Sequence, residues 1–372
     1  MGRRGTTWER LARGESRTLP DRLASAGLWG LSVLYGGALQ LHHLGYRLGL
    51  ARRTRLPALV VSIGNLTVGG TGKTTATMAV ARWLAGQGKR TAILSRGYGG
   101  SGETGTAVVS EGTGPAIDVR QSGDEPYMMA QALPGVSVLV GKDRRRTGRR
   151  AVDELGAQAL VLDDGFQYQR LEKDVEIVLV DALLPFGYDF LVPRGLLREP
   201  ARHLARADAV WLTHSDLLRD RDLHALRARV QQLAPEARLW AARHAPRRLR
   251  ELTGDGDERP PEELRGRSVL ALSSVGNPLA FERTLERLGA VLVGRARFPD
   301  HHGYRPGELR GLTEGAAAAA EWVVTTEKDA VRLPAGEIDR PVWVLEVELA
   351  ERAGMPSLSK ELSWLLEARS KT

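Results

Sequence analysis

The chain has 372 residues, 42% of them hydrophobic and 26% charged, and it contains no cysteine. At roughly 150 residues per domain this length allows about two domains with substantial cores. The composition excludes a mainly disordered, collagen-like or polytopic membrane chain, and the missing cysteines exclude disulfide scaffolds, zinc fingers, iron–sulfur ligation and thiol nucleophiles. The formal charge of +8 favours anionic partners, whether nucleic acid, phosphorylated ligands or an acidic membrane surface. The cations divide into 46 Arg and 7 Lys, which makes each Lys conspicuous.

From the N-terminus, Arg3, Arg4, Arg10, Arg13, Arg17 and Arg22 precede a stretch from Leu23 to Tyr46, 24 residues without Asp, Glu, Lys or Arg. Arg47, Arg52, Arg53 and Arg55 follow it. The stretch is long enough to span a bilayer, but Ser25, Ser32, Gln40, His42, His43 and several Gly keep its hydrophobicity modest. Basic flanks on both sides predict a helix lying in the interface of an anionic leaflet, with Trp29 and Tyr35 at headgroup depth. The alternative is a pair of helices packed on the first domain.

From Ala58 onward short β-branched runs alternate with helical stretches, the pattern of a parallel sheet covered by helices on both faces. Strands are predicted at Ala58–Ile63, Thr91–Ser95, Val136–Val140, Ala159–Leu162 and Glu176–Val180, with helices after Lys73, Glu125 and Asp143. A second series follows at Ala209–Thr213, Arg238–Ala242, Ser268–Leu272, Ala290–Val293, Glu321–Thr325 and Pro341–Val347. The polar, Pro-rich stretch Arg247–Arg267 reads as a surface excursion inside the second domain. With a boundary near Pro193–Ala207, the expected fold is α/β: two Rossmann-like α/β/α domains, the first with a P-loop NTPase-type parallel sheet, preceded by a membrane-associating helix. The expected division is 1–55, 56–200 and 201–372.

The strongest local signal is VVSIGNLTVGGTGKTT, Val60 to Thr75, a strand that breaks into a Gly-rich loop opening a helix. Its loop, Thr67, Val68, Gly69, Gly70, Thr71, Gly72, Lys73 and Thr74, is the expected nucleotide-binding segment. Backbone N–H groups from Gly69 to Lys73 converge on phosphates at a helix N-terminus, with Lys73 on the β/γ oxygens and Thr74 on Mg2+. Thr67 stands where the usual pattern has Gly. ALVLDD, Ala159 to Asp164, then puts Asp163 and Asp164 at a strand's carboxyl end, where ligands of open α/β sheets bind and where a metal shell is expected. A turn with two solvated carboxylates is the plainer reading of that segment.

In SGDEP, Ser122 to Pro126, Asp124 and Glu125 open a helix, either as caps or facing a γ-phosphate, where Asp124 would take the proton of an acceptor hydroxyl. GKDRRRTGRR, Gly141 to Arg150, is a solvated helix face, a nucleic-acid patch or a segment from which Arg144 or a neighbour reaches phosphate. FPDHHGY, Phe298 to Tyr304, gathers Asp300, His301 and His302 at a strand exit. No partner there has standard metal-ligand spacing, so a His hydrogen-bonded to the base is the sharper reading. Lys328 in TTEKDAVRL, Thr325 to Leu333, is either an anion contact or a solvated cap.

In this order the segments resemble the tetraacyldisaccharide 4'-kinases, the lipid A 4'-kinases of Gram-negative bacteria. The resemblance rests on GNLTVGGTGKT at 64–74, SRGYGG at 95–100, GDEP at 123–126, DDGFQ at 163–167, VDALLPFG at 180–187, PRGLLRE at 193–199, FPDHH at 298–302 and TEKDAVR at 326–332. It implies transfer of the ATP γ-phosphoryl group to the 4'-hydroxyl of tetraacyldisaccharide 1-phosphate to form lipid IVA. The cofactors implied are ATP and Mg2+. The implied setting is the cytoplasmic face of the bacterial inner membrane, in peripheral or monotopic attachment, with an acylated disaccharide phosphate as substrate and neither nucleic acid nor an obligate protein partner. On the matched positions, Asp124 is similar to the family's base, His301 to its hydrogen-bonded partner, and Glu125, Asp163 and Asp164 to metal-shell or water-positioning residues. Tyr98, Arg144 and Gln167 are similar to residues lining the family's site. Tyr168 departs from the pattern, where the family usually has His. The competing reading is a partitioning or metal-insertion type P-loop ATPase acting through a protein partner; Val68, where such ATPases carry a signature Lys, argues against it.

Overall fold

The computed structural model describes residues 7–15, 18–252, 256–276, 278–300 and 302–370. In chain order its strands are β1 Leu59–Asn65, β2 Thr91–Ser95, β3 Ala107–Ser110, β4 Ser137–Val140, β5 Ala159–Asp163, β6 Val175–Asp181 and β7 Ala209–Thr213. They continue with β8 Arg238–Glu251, β9 Glu258–Arg259, β10 Ser268–Ser273, β11 Val291–Arg297, β12 Trp322–Thr326 and β13 Val342–Glu351. The chain falls into two compact units, one of residues 1–95, 143–243 and 350–372, the other of 96–142 and 244–349. Both are discontinuous in sequence, unlike the consecutive division expected above.

In the first unit the strands run in the order β8, β7, β6, β1, β5, β2, all parallel. A sheet covered on both faces needs continuous apolar strands, and β5 and β7 are buried along their whole length. The register sets Ile63 opposite Asp163 and Leu94 opposite Leu162, so β5 and β2 end level and β1 runs on to Asn65 at the same edge. Phosphate-loop residues, Asp163 and Ser95 therefore leave one carboxyl edge together, where such sheets bind ligands. The core beneath joins Leu66, Phe166, Val178, Val210 and Leu212.

The second unit holds β11, β10, β12 and β13 in parallel order, together with the antiparallel pair β3 and β4. Trp322 and Trp343 pack at 4.9 Å in its core. Two elements depart from the sequence reading. β3 was not anticipated, and the stretch Arg247–Arg267 is partly sheet, because β8 continues to Glu251 and pairs with β9, Leu249 against Arg259. Alternating Arg masks that extension: Leu249 is buried while Arg248 and Arg250 turn to the Glu346 carboxylate.

The N-terminal stretch is a single helix, Leu19–Arg47, opened by a capping box between Thr18 and Asp21. One side docks on residues 191–203: Ser32 Oγ donates to the Leu191 carbonyl at 2.8 Å, and Tyr35 Oη to the Arg198 carbonyl at 3.0 Å. Near its end, His43 Nε2 lies 3.3 Å from the buried Glu199 carboxylate, which also meets His203 and Arg206. Three potential metal ligands meet there, yet Arg206 already supplies a countercharge, and we read the group as the seat of the helix. The other side exposes Leu23, Trp29, Leu31, Leu34 and Leu41. Tyr35 thus faces protein with its hydroxyl, contrary to its expected headgroup position. Among the described residues no helix is long and apolar enough to cross a membrane.

Candidate active site

The expected residues fall into two groups, one in each unit. In the first unit the phosphate loop begins at Leu66 and closes at Gly72, whose φ of 83° lies in the left-handed region that a side chain would strain. The helix Lys73–Gly86 starts there, which directs its first N–H groups and positive dipole end toward the loop. The loop is tied down on both flanks. Val68 N–H donates to the Leu196 carbonyl at 2.7 Å, the Asn65 amide donates to Thr71 Oγ1 at 2.9 Å, and Thr213 Oγ1 donates to the Thr71 carbonyl at 3.0 Å. Thr67 and Thr71 are buried, whereas Val68 is 49% exposed. The backbone at Thr67 forms an antiparallel bridge with Leu197.

Asp163 and Asp164 have different partners. Asp163 is buried and accepts from Ser95 Oγ at 3.0 Å and Thr77 Oγ1 at 3.3 Å. Asp164, at φ 53°, takes both arms of Arg198, at 2.9 and 2.7 Å, and Lys73 Nζ lies 3.9 Å away. Burial pushes its carboxyl upward, but the Arg198 hydrogen bonds and the Lys73 and Arg144 charges outweigh that and hold it below the usual carboxylate range. Gln167 donates to the Asn65 carbonyl at 2.9 Å, and its own Oε1 is buried without a hydrogen-bond partner among the described residues. Arg144 is buried with its guanidinium 5.2 Å from the Tyr168 ring. Tyr168 Oη donates to Asp143 at 2.8 Å, and Arg145 clamps the same carboxylate and holds it far below its ordinary range. Tyr168 therefore fills its position both as a hydrogen-bond donor and as a surface for Arg144.

The donors at the strand edge suit Mg2+. Thr74, Asp163 and Asp164 offer hydroxyl and carboxylate oxygen only, the ligand class of a hard, small cation. Ser95 and Thr77 orient Asp163 as hydrogen-bonding supports of a ligating carboxylate do.

In the second unit Gly123, φ 83°, precedes the helix Asp124–Ala132, so the N-cap is Gly123 and not Asp124. The SRGYGG loop packs against this turn so closely that a Cβ on Gly100 would come 2.7 Å from the Gly123 nitrogen, which explains why these two glycine-bearing motifs occur together. Tyr98, on that loop, is 73% exposed. Asp124 meets Arg332, Nε to Oδ2 3.3 Å, and Lys328 Nζ lies 3.9 Å from Glu125 and 3.5 Å from Asp300. Lys328 thus has carboxylate neighbours, not the solvated setting of a cap. His301 lies outside the described residues. His302 stacks on Phe298 at 4.9 Å and meets Glu308 at 3.0 Å.

Arg198, Asn65 and Arg332 were not singled out from the sequence. Arg198 and Arg332 lie inside the motifs PRGLLRE and TEKDAVR, the one signal that could have found them.

The family described as LpxK, tetraacyldisaccharide-1-P 4'-kinase, matches residues 24–366. A tetraacyldisaccharide 4'-kinase of Anaeromyxobacter dehalogenans (strain 2CP-C) is 48% identical over 315 residues, 84% of this chain and 82% of that protein. One from Anaeromyxobacter sp. (strain Fw109-5) is 43% identical over 354 residues, 95% and 93% of the two chains. The crystal structure of "apo"-form LpxK from Aquifex aeolicus in complex with ATP superposes with a TM-score of 0.73 at 31% identity, covering 92% of this chain and 98% of that one. A match that runs from the N-terminal helix through both units leaves one assignment: this chain belongs to the tetraacyldisaccharide-1-P 4'-kinase family.

Proposed function

We propose that the protein transfers the γ-phosphoryl group of ATP to the 4'-hydroxyl of a tetraacylated glucosamine disaccharide 1-phosphate, forming lipid IVA in lipid A biosynthesis. The observation that carries this reading is the family match over residues 24–366. The phosphate loop, with Lys73 beside Asp164, has the chemistry the reaction needs. Phosphoryl transfer asks little covalent chemistry of a protein and is accelerated by positioning and charge neutralisation.

In this reading the backbone N–H groups of the loop and the helix N-terminus bind the β- and γ-phosphates of ATP, and Lys73 binds their oxygens. Thr74, Asp163 and Asp164 would hold Mg2+, which supplies charge neutralisation across the β- and γ-phosphates when bound. Arg144 and Arg198 add fixed positive charge, and Tyr98 and Gln167 line the nucleotide site. Asp124 accepts the proton of the 4'-hydroxyl as the hydroxyl oxygen bonds to the γ-phosphorus and ADP departs; Glu125 takes a metal-shell or water-positioning role, and His301 orients Asp124 or takes the proton onward.

The acceptor is a lipid, and the N-terminal helix supports peripheral attachment at the cytoplasmic face of the inner membrane. It exposes Leu34 and Leu41, each 72% exposed, and Arg47, Arg52, Arg53 and Arg55 follow. Incubation with γ-labelled ATP and a tetraacyl disaccharide 1-phosphate tests the activity: label passes to the lipid, and label appearing only in inorganic phosphate refutes it. Leu34→Glu with Leu41→Glu tests the attachment, with co-sedimentation on anionic vesicles falling about tenfold; unchanged sedimentation contradicts it.

A further inference from the structure

The candidate base is held by a residue two hundred positions further along the chain. Arg332 Nε and Asp124 Oδ2 are 3.3 Å apart, with the side chains only 10% and 14% exposed. The rest of the guanidinium is already engaged. Nη1 donates to the His302 carbonyl at 2.8 Å, and Nη2 donates to Ser274 Oγ at 3.2 Å and to Asp329 Oδ1 at 3.4 Å. Asp329 is itself fixed. It is fully buried and accepts from the Ser274 N–H at 3.0 Å, from Ser274 Oγ and from Thr326 Oγ1 at 2.8 Å.

These contacts converge because β10 and β12 are parallel neighbours, with Ala271 opposite Val324, and both end at the same level. Ser274 leaves one strand there and the short helix Glu327–Ala330 leaves the other. Phe298 N–H binds the Ser273 carbonyl at 2.9 Å, which brings the FPDHH loop to the same edge.

We propose that Arg332 is a positioning residue for the phosphoryl transfer. Its guanidinium pairs with the Asp124 carboxylate at 3.3 Å while its other nitrogens are anchored on the His302 carbonyl, Ser274 and Asp329. The proposal rests on the reading of Asp124 as the base. A purely structural Arg332 would be complete with Asp329, Ser274 and His302; the reach of Nε to a helix from a different stretch of the chain is what that role leaves unexplained. Lys328, the other cation of the motif, faces Glu125 and Asp300 instead. A lysine at 332 would keep the charge but has no planar fork with which to serve the His302, Ser274 and Asp329 acceptors at fixed angles while it pairs with Asp124.

The test is steady-state kinetics of the full chain with ATP and the tetraacyl disaccharide 1-phosphate, for Arg332→Ala, Arg332→Lys, Asp124→Asn and the double variant Asp124→Asn with Arg332→Ala. Arg332→Ala should lower kcat about 100-fold, the scale of a misplaced catalytic group, with KM for ATP within about twofold, and Arg332→Lys should recover about tenfold of that loss. In the Asp124→Asn background the same alanine change should cost less than about threefold, because residues that act as a unit are not additive. Each comparison uses the same alanine change in both backgrounds, so any shared loss of folded protein cancels. An equal cost in both backgrounds, or a risen KM for ATP with unchanged kcat, overturns the positioning role. Wild-type kcat in Asp124→Asn alone overturns the base reading, and the proposal falls with it.

Discussion

Asp163 in the first unit is held by two hydroxyls, Ser95 and Thr77, whereas Asp124 in the second is held by a guanidinium. Hydroxyl donors orient a carboxylate without matching its charge. A guanidinium orients and also matches charge, which suits a group that must keep one geometry while it handles a single proton. Asp164 lies between these cases, with Arg198 clasping it and Lys73 within 3.9 Å. The carboxylates of the two units thus differ in the partners that hold them.

The largest effects should separate the two sites. Lys73→Ala should lower turnover about 10³-fold, the scale of losing a preorganised charge on the transferring group, and weaken ATP binding as well. Asp124→Ala should lower kcat by about 10²–10⁴-fold while ATP binding, measured by calorimetry, stays near wild type. Equal damage to ATP binding by both variants would break the comparison. Ser95→Ala should raise the Mg2+ concentration for half-maximal activity about tenfold, the lower end for loss of a support behind a metal ligand; an unchanged Mg2+ requirement would remove Asp163 from the metal shell.

Arg198→Ala should cost about 1.5–3 kcal/mol of stability in urea unfolding, because it removes charge-assisted hydrogen bonds to Asp164. The smallest effect concerns the helix seat. Burial holds the His43 imidazole below its ordinary value of 6.5, so the unfolded chain takes the proton more readily than the folded one. The stability contributed by neutral His43 is present above pH 6.5 and is lost as pH falls below it. Glu199 is pulled down from 4.5, against its burial, by His203, Arg206 and His43, so its contribution is lost only at more acidic pH. Amide exchange in Leu19–Arg47, corrected for intrinsic rate, should therefore quicken between pH 7.5 and 5.5, and His43→Gln should abolish the difference. Equal pH dependence in both proteins would remove His43 from the seat.

What was legible in the sequence follows the range of the physics. The phosphate loop could be read because strand, glycine loop and helix are consecutive, and Asp163 because an apolar run ending in acid marks a strand's carboxyl end. Arg198 and Arg332 could not be read, since each acts on a carboxylate 34 or more than two hundred residues away and only strand register brings them there. The extension of β8 was hidden for a related reason: Arg residues flank Leu249, and their carboxylate partner, Glu346, lies on β13. Tyr168 was noted as a departure, but its role with Arg144 and Asp143 needed coordinates.

The central claim is that this chain places a phosphate on the 4'-oxygen of its lipid acceptor. The most direct measurement is a phosphorus–proton correlation spectrum of the product formed from ATP and a tetraacyl disaccharide 1-phosphate. The account predicts a second phosphomonoester coupled to the proton at C4', absent when the acceptor lacks that hydroxyl. A phosphate at any other carbon, or ATP turnover with the lipid unchanged, would contradict it.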